Sequence, residues 1–216
     1  MKATDTVVIA NTSVFAALAI ILTFANLEVP FPLLPYLKFD MSEIPIMVLV
    51  FLMGPVPGLV AEVVAWVALS VARGWVLGPA MKFLAVVPMI IGYWIGVTVW
   101  RKIFHRGGIG SAFACGSIIG AVARIAAAAI LNIVVLLFIA PDFLKFAGTM
   151  LRVIGLVSTS TYDILLWTLI LTSVFNAFHV MISAIPAVTV VRGAAFKIPW
   201  VNQNAWMLNP ANGSKN

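Results

Sequence analysis

Long apolar segments follow one another through almost the whole chain and constrain its fold more than any other feature. Apolar residues make up 63% of the 216 residues and charged residues only 9%, and the mean hydropathy is +1.13. A helix needs roughly 20 apolar residues to cross the hydrocarbon core of a bilayer, and several segments reach that length. The sequence therefore predicts an all-α integral membrane protein, a bundle of six transmembrane helices.

Turn residues and charges divide the chain into the predicted spans. We expect them at about residues 7–27, 40–53, 58–72, 76–100, 111–140 and 161–191. Residues 141–160 are mixed in character, and there we expect a loop with a short helix. The predicted organisation is one membrane-embedded domain at residues 1–192, followed by a polar cytoplasmic tail at residues 193–216.

A cluster of charges precedes the second predicted span. Residues 36–45, YLKFDMSEIP, contain Lys38, Asp40 and Glu43. The second span is short for a bilayer, so the loop before it must dip inward, which is tolerated where a loop is buried in protein or lines a cavity. We expect Asp40, Ser42 and Glu43 to cap the start of this span, with Lys38 neutralising them. The result is a re-entrant-like first outer loop that covers a pocket as a charge-anchored lid.

The distribution of lysine and arginine predicts the orientation in the membrane. The positive-inside rule places the basic loop at residues 101–106 on the cytoplasmic side of the membrane. With six spans, both termini are then predicted to be cytoplasmic. Residues 36–45 then lie on the outer side. The expected location is the cell membrane, which the chain crosses several times.

Several polar side chains fall inside the predicted spans, where each needs a partner or a function. They are Glu62, Lys82, Arg124, Asn132, Asn176 and His179. One interpretation is structural: Glu62 pairs with Arg124 or Lys82, since buried ions are normally paired, and the asparagines bond across helices. The other is a small-molecule site, an outward-facing cavity below residues 36–45. That cavity would collect the side chains of the outer half, namely Lys82, Asn132, Asn176 and His179.

No catalytic signature appears in the sequence. The H-E-x-x-H, G-x-S-x-G, P-loop and G-x-G-x-x-G patterns are all missing. The two histidines, His105 and His179, are far apart in the chain, which disfavours a histidine metal site. Asp40 and Asp163 would form an intramembrane aspartyl pair only if the ends of their spans meet. We therefore expect no catalytic residues and no metal site, and an intramembrane enzyme is the less favoured alternative.

Small residues cluster on one part of the first predicted span. Ser13 and Ala17 are four apart, and Ala16 lies beside them. Small residues at this spacing let another helix approach closely. They indicate either packing within the bundle or an interface with a partner.

Two blocks of the first half carry a family resemblance. They are LPYLKFDMSEIPIMVLVFLMGPVPGLVAEVV and GPAMKFLAVVPMIIG. The chain resembles the S components of energy-coupling factor (ECF) transporters, in particular the riboflavin-specific type. In that family a K-[FL]-D-F-S-[DE]-I-P segment leads into a G-P-x-x-G turn and a glutamate in the next helix, which correspond here to residues 38–45, residues 54–58 and Glu62. The later segments LNIVVLLFIAP and FNAFHVMIS are similar more loosely to the family's fifth and sixth helices.

The resemblance implies a substrate-capture subunit that binds riboflavin from outside, with ATP hydrolysis left to separate chains. The protein itself would be no enzyme and would hold no cofactor, riboflavin being the transported substrate. Together with the predicted cavity, the resemblance gives the candidate ligand contacts Tyr36, Leu37, Lys38, Phe39, Asp40, Lys82, Asn132, Asn176 and His179. His179 stands where the family usually has lysine, so another vitamin or precursor remains an open alternative.

The resemblance also implies partners. These are a transmembrane coupling subunit and two cytoplasmic ATPase subunits. The small residues of the first span, Ser13, Ala16 and Ala17, match the family's contact with the coupling subunit by position. The usual A-x-x-x-A is S-x-x-x-A here.

Overall fold

The structure is a computed structural model that describes residues 3–104, 108–156 and 160–208. It is 83% helical, and the described residues include five helices long and apolar enough to cross a membrane. This agrees with a helical membrane bundle. Of the predicted basic loop at residues 101–106, the first three residues form the end of a helix, whereas His105 and Arg106 lie outside the described ranges. The last part of the predicted tail, residues 209–216, also lies outside them.

The elements follow one another with short connections. In chain order they are α1 (Ala3–Phe24), β1 (Glu28–Phe31), β2 (Leu34–Asp40), α2 (Glu43–Met53), α3 (Pro55–Arg73), α4 (Leu77–Ile103), α5 (Ile109–Val134), a π-helical turn (Val135–Ile139), α6 (Pro141–Val153), α7 (Thr161–Lys197) and α8 (Pro199–Asn204). The short helix expected in residues 141–160 is α6. The long helices α1, α3, α4, α5 and α7 correspond to five of the predicted spans.

Helix α2 is the remaining predicted span, and it is shorter than the others. Its 11 residues rise about 16 Å, roughly half the thickness of a hydrocarbon core. Met47, Leu49 and Phe51 have no solvent exposure, because α2 runs through the middle of the bundle against α1, α3 and α7. The sequence of a helix that is surrounded by protein is apolar on all sides, as the sequence of α2 is.

The predicted outer loop forms a short two-stranded β-hairpin, a local addition to an otherwise helical bundle. Strands β1 and β2 pair antiparallel, with Val29 opposite Phe39. The Phe39 ring stacks on Phe175 of α7 with 4.7 Å between centroids, and Phe31 contacts both rings at its edge of the hairpin. These aromatic contacts hold the hairpin against one end of the bundle, which we call the hairpin end.

Paired glycines bring α4 and α5 close together. A Cβ atom on Gly92 would lie 2.7 Å from the Cα of Gly120, and one on Gly96 would lie 2.8 Å from the Cα of Gly116. Only glycine allows such an approach between helix backbones. The contact fixes the position of Arg124, one helical turn beyond Gly120, in the interior of the bundle.

Residues 193–208 form more regular structure than the polar tail that the sequence predicts. Helix α7 continues to Lys197 and α8 follows, so the predicted domain boundary falls inside a helix. Beyond α8, the backbone N–H groups of Trp206 and Met207 donate to the carbonyls of Leu52 (3.0 Å) and Phe51 (2.9 Å). Because helices leave their last carbonyls unbonded, these residues complete the end of α2.

Candidate functional site

A cavity of about 440 Å³ lies at the hairpin end of the bundle. Its wall is built mainly by the hairpin, α4, α5, the π-helical turn, α6 and α7, with single residues from α1, α2 and α3. Most of the predicted ligand contacts line it, namely Tyr36, Leu37, Lys38, Asp40, Lys82, Asn132, Asn176 and His179. Phe39 is absent from this lining. Its ring is 8% exposed and packs behind the wall on Phe175 and, edge-on, on His179.

The floor of the cavity is organised around Arg124. Its Nη1 and Nη2 donate to the two carboxylate oxygens of Glu43 at 2.6 and 2.9 Å, and its Nε donates to Asn176 Oδ1 at 2.8 Å. The Arg124 and Glu43 side chains are only 3% and 0% exposed. The expected roles of these residues are therefore wrong: Glu43 does not cap α2, and Arg124 pairs with Glu43 instead of Glu62. The sequence alone had not marked either residue as part of the cavity wall, where both lie.

The hydrogen bonds define the tautomer of His179. Arginine has only donors, so Arg124 Nη2 donates to His179 Nδ1, at 3.1 Å. The proton of the ring then lies on Nε2, which faces the Asp40 carbonyl and Glu43 Oε1, both at 3.4 Å. His179 thus links α5 and α7 to the start of α2 and contributes its ring to the cavity wall.

A second ion pair attaches the hairpin to α4. Lys82 Nζ donates to Asp40 Oδ2 at 2.6 Å and to Ser42 Oγ at 2.5 Å, and Asp40 Oδ1 accepts from the Ser42 N–H at 2.8 Å. Burial alone would raise the pKa of Asp40, but the Lys82 ammonium and the hydrogen bonds from Lys82 and Ser42 hold it below its ordinary value. Lys38, expected to neutralise this cluster, instead pairs with Glu28 across the hairpin at 2.7 Å.

The outer part of the cavity is largely apolar and aromatic. Tyr36 of the hairpin contacts Phe146 of α6 with 5.8 Å between ring centroids, and Phe143 and Trp75 also line this part. Asn132 donates from Nδ2 to the Ala128 carbonyl at 2.8 Å, which leaves its Oδ1 as an acceptor at the wall. Helix α6, whose role the sequence left undefined, thus contributes part of the cavity mouth.

Two acidic residues outside the cavity lining differ in their partners: Glu62 has no direct bond to a described residue, whereas Asp163 caps a helix. Glu62 of α3 is 3% exposed and forms no hydrogen bond or ion pair within the described ranges. Asp163 forms a capping box with Ser160 at the start of α7, and Asp40 is bonded as described above. The two aspartates of the alternative enzyme interpretation therefore each serve a structural role.

The small residues of α1 lie at a groove between α1 and α3. Ser13 and Ala17 are exposed, whereas Ala16 is 3% exposed and packs in the core. The groove has a volume of about 480 Å³, and Pro57, Val60 and Val64 form its α3 side. Ala16 accordingly contributes to packing within the bundle, whereas Ser13 and Ala17 are accessible in the groove.

Comparison of the chain with protein families, with curated proteins and with solved structures gives no match. The fold and the cavity themselves define a class: a helical membrane protein with a partly polar cavity near one end, covered by a short hairpin. The polar and apolar groups of the wall determine which ligands the cavity can bind.

Proposed function

We propose that this protein is the substrate-binding subunit of an ECF-type vitamin importer and that it binds riboflavin from the outer side of the cell membrane. The observation that carries the proposal is the cavity at the hairpin end. It brings Asn132, Asn176 and the hairpin residues together, and these come from the segments that resemble the riboflavin-specific family. Both termini are then cytoplasmic and the hairpin faces outside.

The size and polarity of the cavity suit riboflavin. Small-molecule pockets typically measure about 300–1,000 Å³ and combine apolar walls with a few placed polar groups. The isoalloxazine ring requires a flat apolar slot with hydrogen bonds at its edge, and the ribityl chain requires hydroxyl partners. The aromatic mouth around Tyr36 and Phe146 supplies the first kind of surface, while Asn132 and Asn176 supply polar groups.

The charges at the cavity also favour an uncharged ligand such as riboflavin. Each cationic side chain in the lining has an anionic partner: Arg124 pairs with Glu43, Lys82 with Asp40, and Lys38 with Glu28. None of these three cations is therefore free to pair with an anionic ligand. Moving an anion into such a site would carry a desolvation cost without a compensating partner.

Another vitamin or precursor is the second candidate for the ligand, and His179 is the reason. Its ring is engaged by Arg124 and the Asp40 carbonyl, so it does not present the free ammonium of the family's usual lysine. A ligand that uses the hydrogen-bonding groups of Asn132 and Asn176 differently would suit this change. An intramembrane enzyme has less support, because Asp40 and Asp163 have the structural partners described above.

The test is titration of riboflavin with the purified full-length protein, followed by quenching of flavin fluorescence. We expect binding below micromolar concentration and a loss of about tenfold in affinity for Asn132→Ala, since an unpaired polar group of the bound ligand costs on the order of 1–3 kcal/mol. Asn11→Ala is the matched control, because Asn11 also donates to the carbonyl one turn earlier but lies on α1 outside the cavity. No binding of riboflavin at micromolar concentration refutes the substrate assignment, and thermal shifts with a vitamin panel then identify the alternative.

A coupling subunit and two ATPase subunits would complete the importer. The resemblance supports these partners, and the groove between α1 and α3 offers a surface where a partner helix can approach Ser13 and Ala17. Copurification of the protein with co-expressed coupling and ATPase subunits tests this part of the proposal.

A further inference from the structure

A threonine in the cavity wall has a hydroxyl group without a partner. Thr172 of α7 lines the cavity and is 4% exposed, and its Oγ1 makes no hydrogen bond to any described residue. Buried hydroxyl groups are nearly always bonded, and an unsatisfied one costs free energy. Thr172 therefore needs an explanation that the packing of the bundle does not supply.

Neighbouring hydroxyl groups on the same helix illustrate what is unusual. Thr168 donates to the Ile164 carbonyl and Ser173 donates to the Leu169 carbonyl, each at 2.7 Å. This bond to the carbonyl one turn earlier is the ordinary choice for serine and threonine in an apolar helix. The corresponding carbonyl for Thr172 is that of Thr168, and Thr172 does not use it. Its hydroxyl group is thus held out of the helix's own hydrogen-bonding pattern.

The position of Thr172 ties it to the polar floor. It lies one turn before Asn176, so the two side chains share a face of α7. Asn176 Nδ2 donates to the Thr172 carbonyl at 2.8 Å, while Asn176 Oδ1 accepts from Arg124. Asn176 is thereby engaged at both ends of its amide by protein groups, whereas the Thr172 hydroxyl, one turn closer to the hairpin end, has both a donor and an acceptor to offer.

We propose that the Thr172 hydroxyl is a specificity-determining contact of the ligand. It would bond to a hydroxyl or carbonyl group of a molecule seated between the floor and Asn132. Rotation about the Cα–Cβ bond moves Oγ1 between staggered positions, and helical threonine uses more than one of them. The inference rests on the proposed function and adds a residue to it, on a helix where the sequence analysis named only Asn176 and His179 as candidate ligand contacts.

The experiment compares Thr172→Val, Thr172→Ser and the unchanged protein in riboflavin titrations. Valine keeps the shape and removes the hydroxyl group, so we expect about tenfold weaker binding, whereas serine keeps the affinity within about threefold. Thr168→Val is the matched control, because this threonine is 1% exposed, is bonded within its own helix and does not line the cavity. It should bind riboflavin like the unchanged protein.

Thermal unfolding without ligand supplies a second readout. Because Thr172→Val removes an unsatisfied buried group, the melting temperature of the ligand-free variant should equal or exceed that of the unchanged protein. Riboflavin should then raise it less than it raises the melting temperature of the unchanged protein. A merely structural hydroxyl would show the opposite pattern, lower stability with unchanged affinity.

The outcomes separate this inference from the proposed function. If the unchanged protein binds riboflavin and Thr172→Val binds it equally tightly, the role of Thr172 is refuted and the proposed function stands. If the unchanged protein binds no riboflavin, the proposed function fails and the inference fails with it. Weaker binding by Thr172→Val alone, with unchanged or higher stability of its ligand-free form, supports both.

Discussion

Arg124 and Glu43 form a two-bond ion pair in the interior of the bundle, although they are 81 residues apart in the chain. The pair joins α5 to the first turn of α2, directly after the hairpin. The pair also forms the floor of the cavity. One interaction therefore both holds α2 against α5 and sets the depth of the cavity. Ions inside a membrane protein are costly and need partners, and this pair supplies them to each other.

Removing one member of this pair should therefore be strongly destabilising. In Arg124→Met the Glu43 carboxylate loses both of its short bonds while it stays buried. We expect a loss of about 3–5 kcal/mol of stability, the usual cost of breaking a buried pair. The measurement is thermal unfolding of the purified protein in detergent.

A double variant tests whether the lost charge balance is the cause. Glu43→Gln combined with Arg124→Met leaves no charge behind and should recover much of the stability. Arg152→Met is the control, because Arg152 is exposed on α6. If Arg124→Met melted like the control, the ion pair would not be holding α2 to α5.

The sequence predicted the positions of the long apolar helices well, because long apolar segments leave few alternatives to helix in a membrane protein. It also marked Lys82, Asn132, Asn176 and His179, since polar residues are rare enough inside apolar segments to stand out. The pairing of the charges was not predictable in the same way. Glu43 and Glu62 are both acidic residues near the start or middle of a helix, and only the packing of α2 at the centre of the bundle decides which one reaches Arg124.

The sequence did not predict the hairpin, for a related reason. Residues 28–40 are rich in proline and short of a regular alternation, and the charges at Lys38, Asp40 and Glu43 suggested a capping cluster. In the structure these charges go to three separate partners: Glu28, Lys82 and Arg124. Two of the partners lie on helices distant in the chain, so local capping rules had no means of identifying them. Thr172 was likewise inconspicuous, since threonine is common in apolar helices.

The bond between Asp40 and Lys82 should make the attachment of the hairpin depend on pH in a specific direction. The folded-state pKa of Asp40 is lowered, so the stabilisation is fully present above the unfolded value of about 3.9 and disappears as the pH falls through the lower folded value. In Lys82→Met the opposing cation is gone, and burial then favours protonation of Asp40 at higher pH. We expect hydrogen–deuterium exchange of residues 28–40 in this variant to be faster than in the unchanged protein at neutral pH, where Asp40 is charged and unpaired, and we expect this difference to shrink as the pH falls and Asp40 is protonated, after correction for intrinsic rates.

Lys38→Met is the control for that experiment. Its pair with Glu28 lies at the surface, where the Lys38 side chain is 53% exposed, and exposed pairs contribute little. Exchange of the hairpin in this variant should follow the unchanged protein over the whole pH range. Equal behaviour of the two lysine variants would show that Lys82 does not anchor the hairpin.

Glu62 gives a prediction of the opposite sign to that for Arg124. Its carboxyl group is buried on α3 without a hydrogen bond or ion pair to the residues that the structure describes, so no direct bond offsets its desolvation cost. Glu62→Gln keeps the size and removes the ionisable group. We expect a melting temperature equal to or above that of the unchanged protein, measured in detergent near neutral pH. A decrease of several degrees would mean that the carboxyl group has a stabilising partner after all.

The groove between α1 and α3 allows the proposed assembly to be tested apart from ligand binding. Ala17 is exposed in the groove and takes no part in the cavity. In Ala17→Leu the larger side chain should keep a partner helix from approaching, so copurification with co-expressed coupling and ATPase subunits should be lost while riboflavin affinity stays unchanged. Val14→Leu is the control: Val14 is 56% exposed on the same helix but does not line the groove, so assembly should persist. If Ala17→Leu also assembles, the groove is not the contact surface and the small residues of α1 serve the packing of the bundle alone.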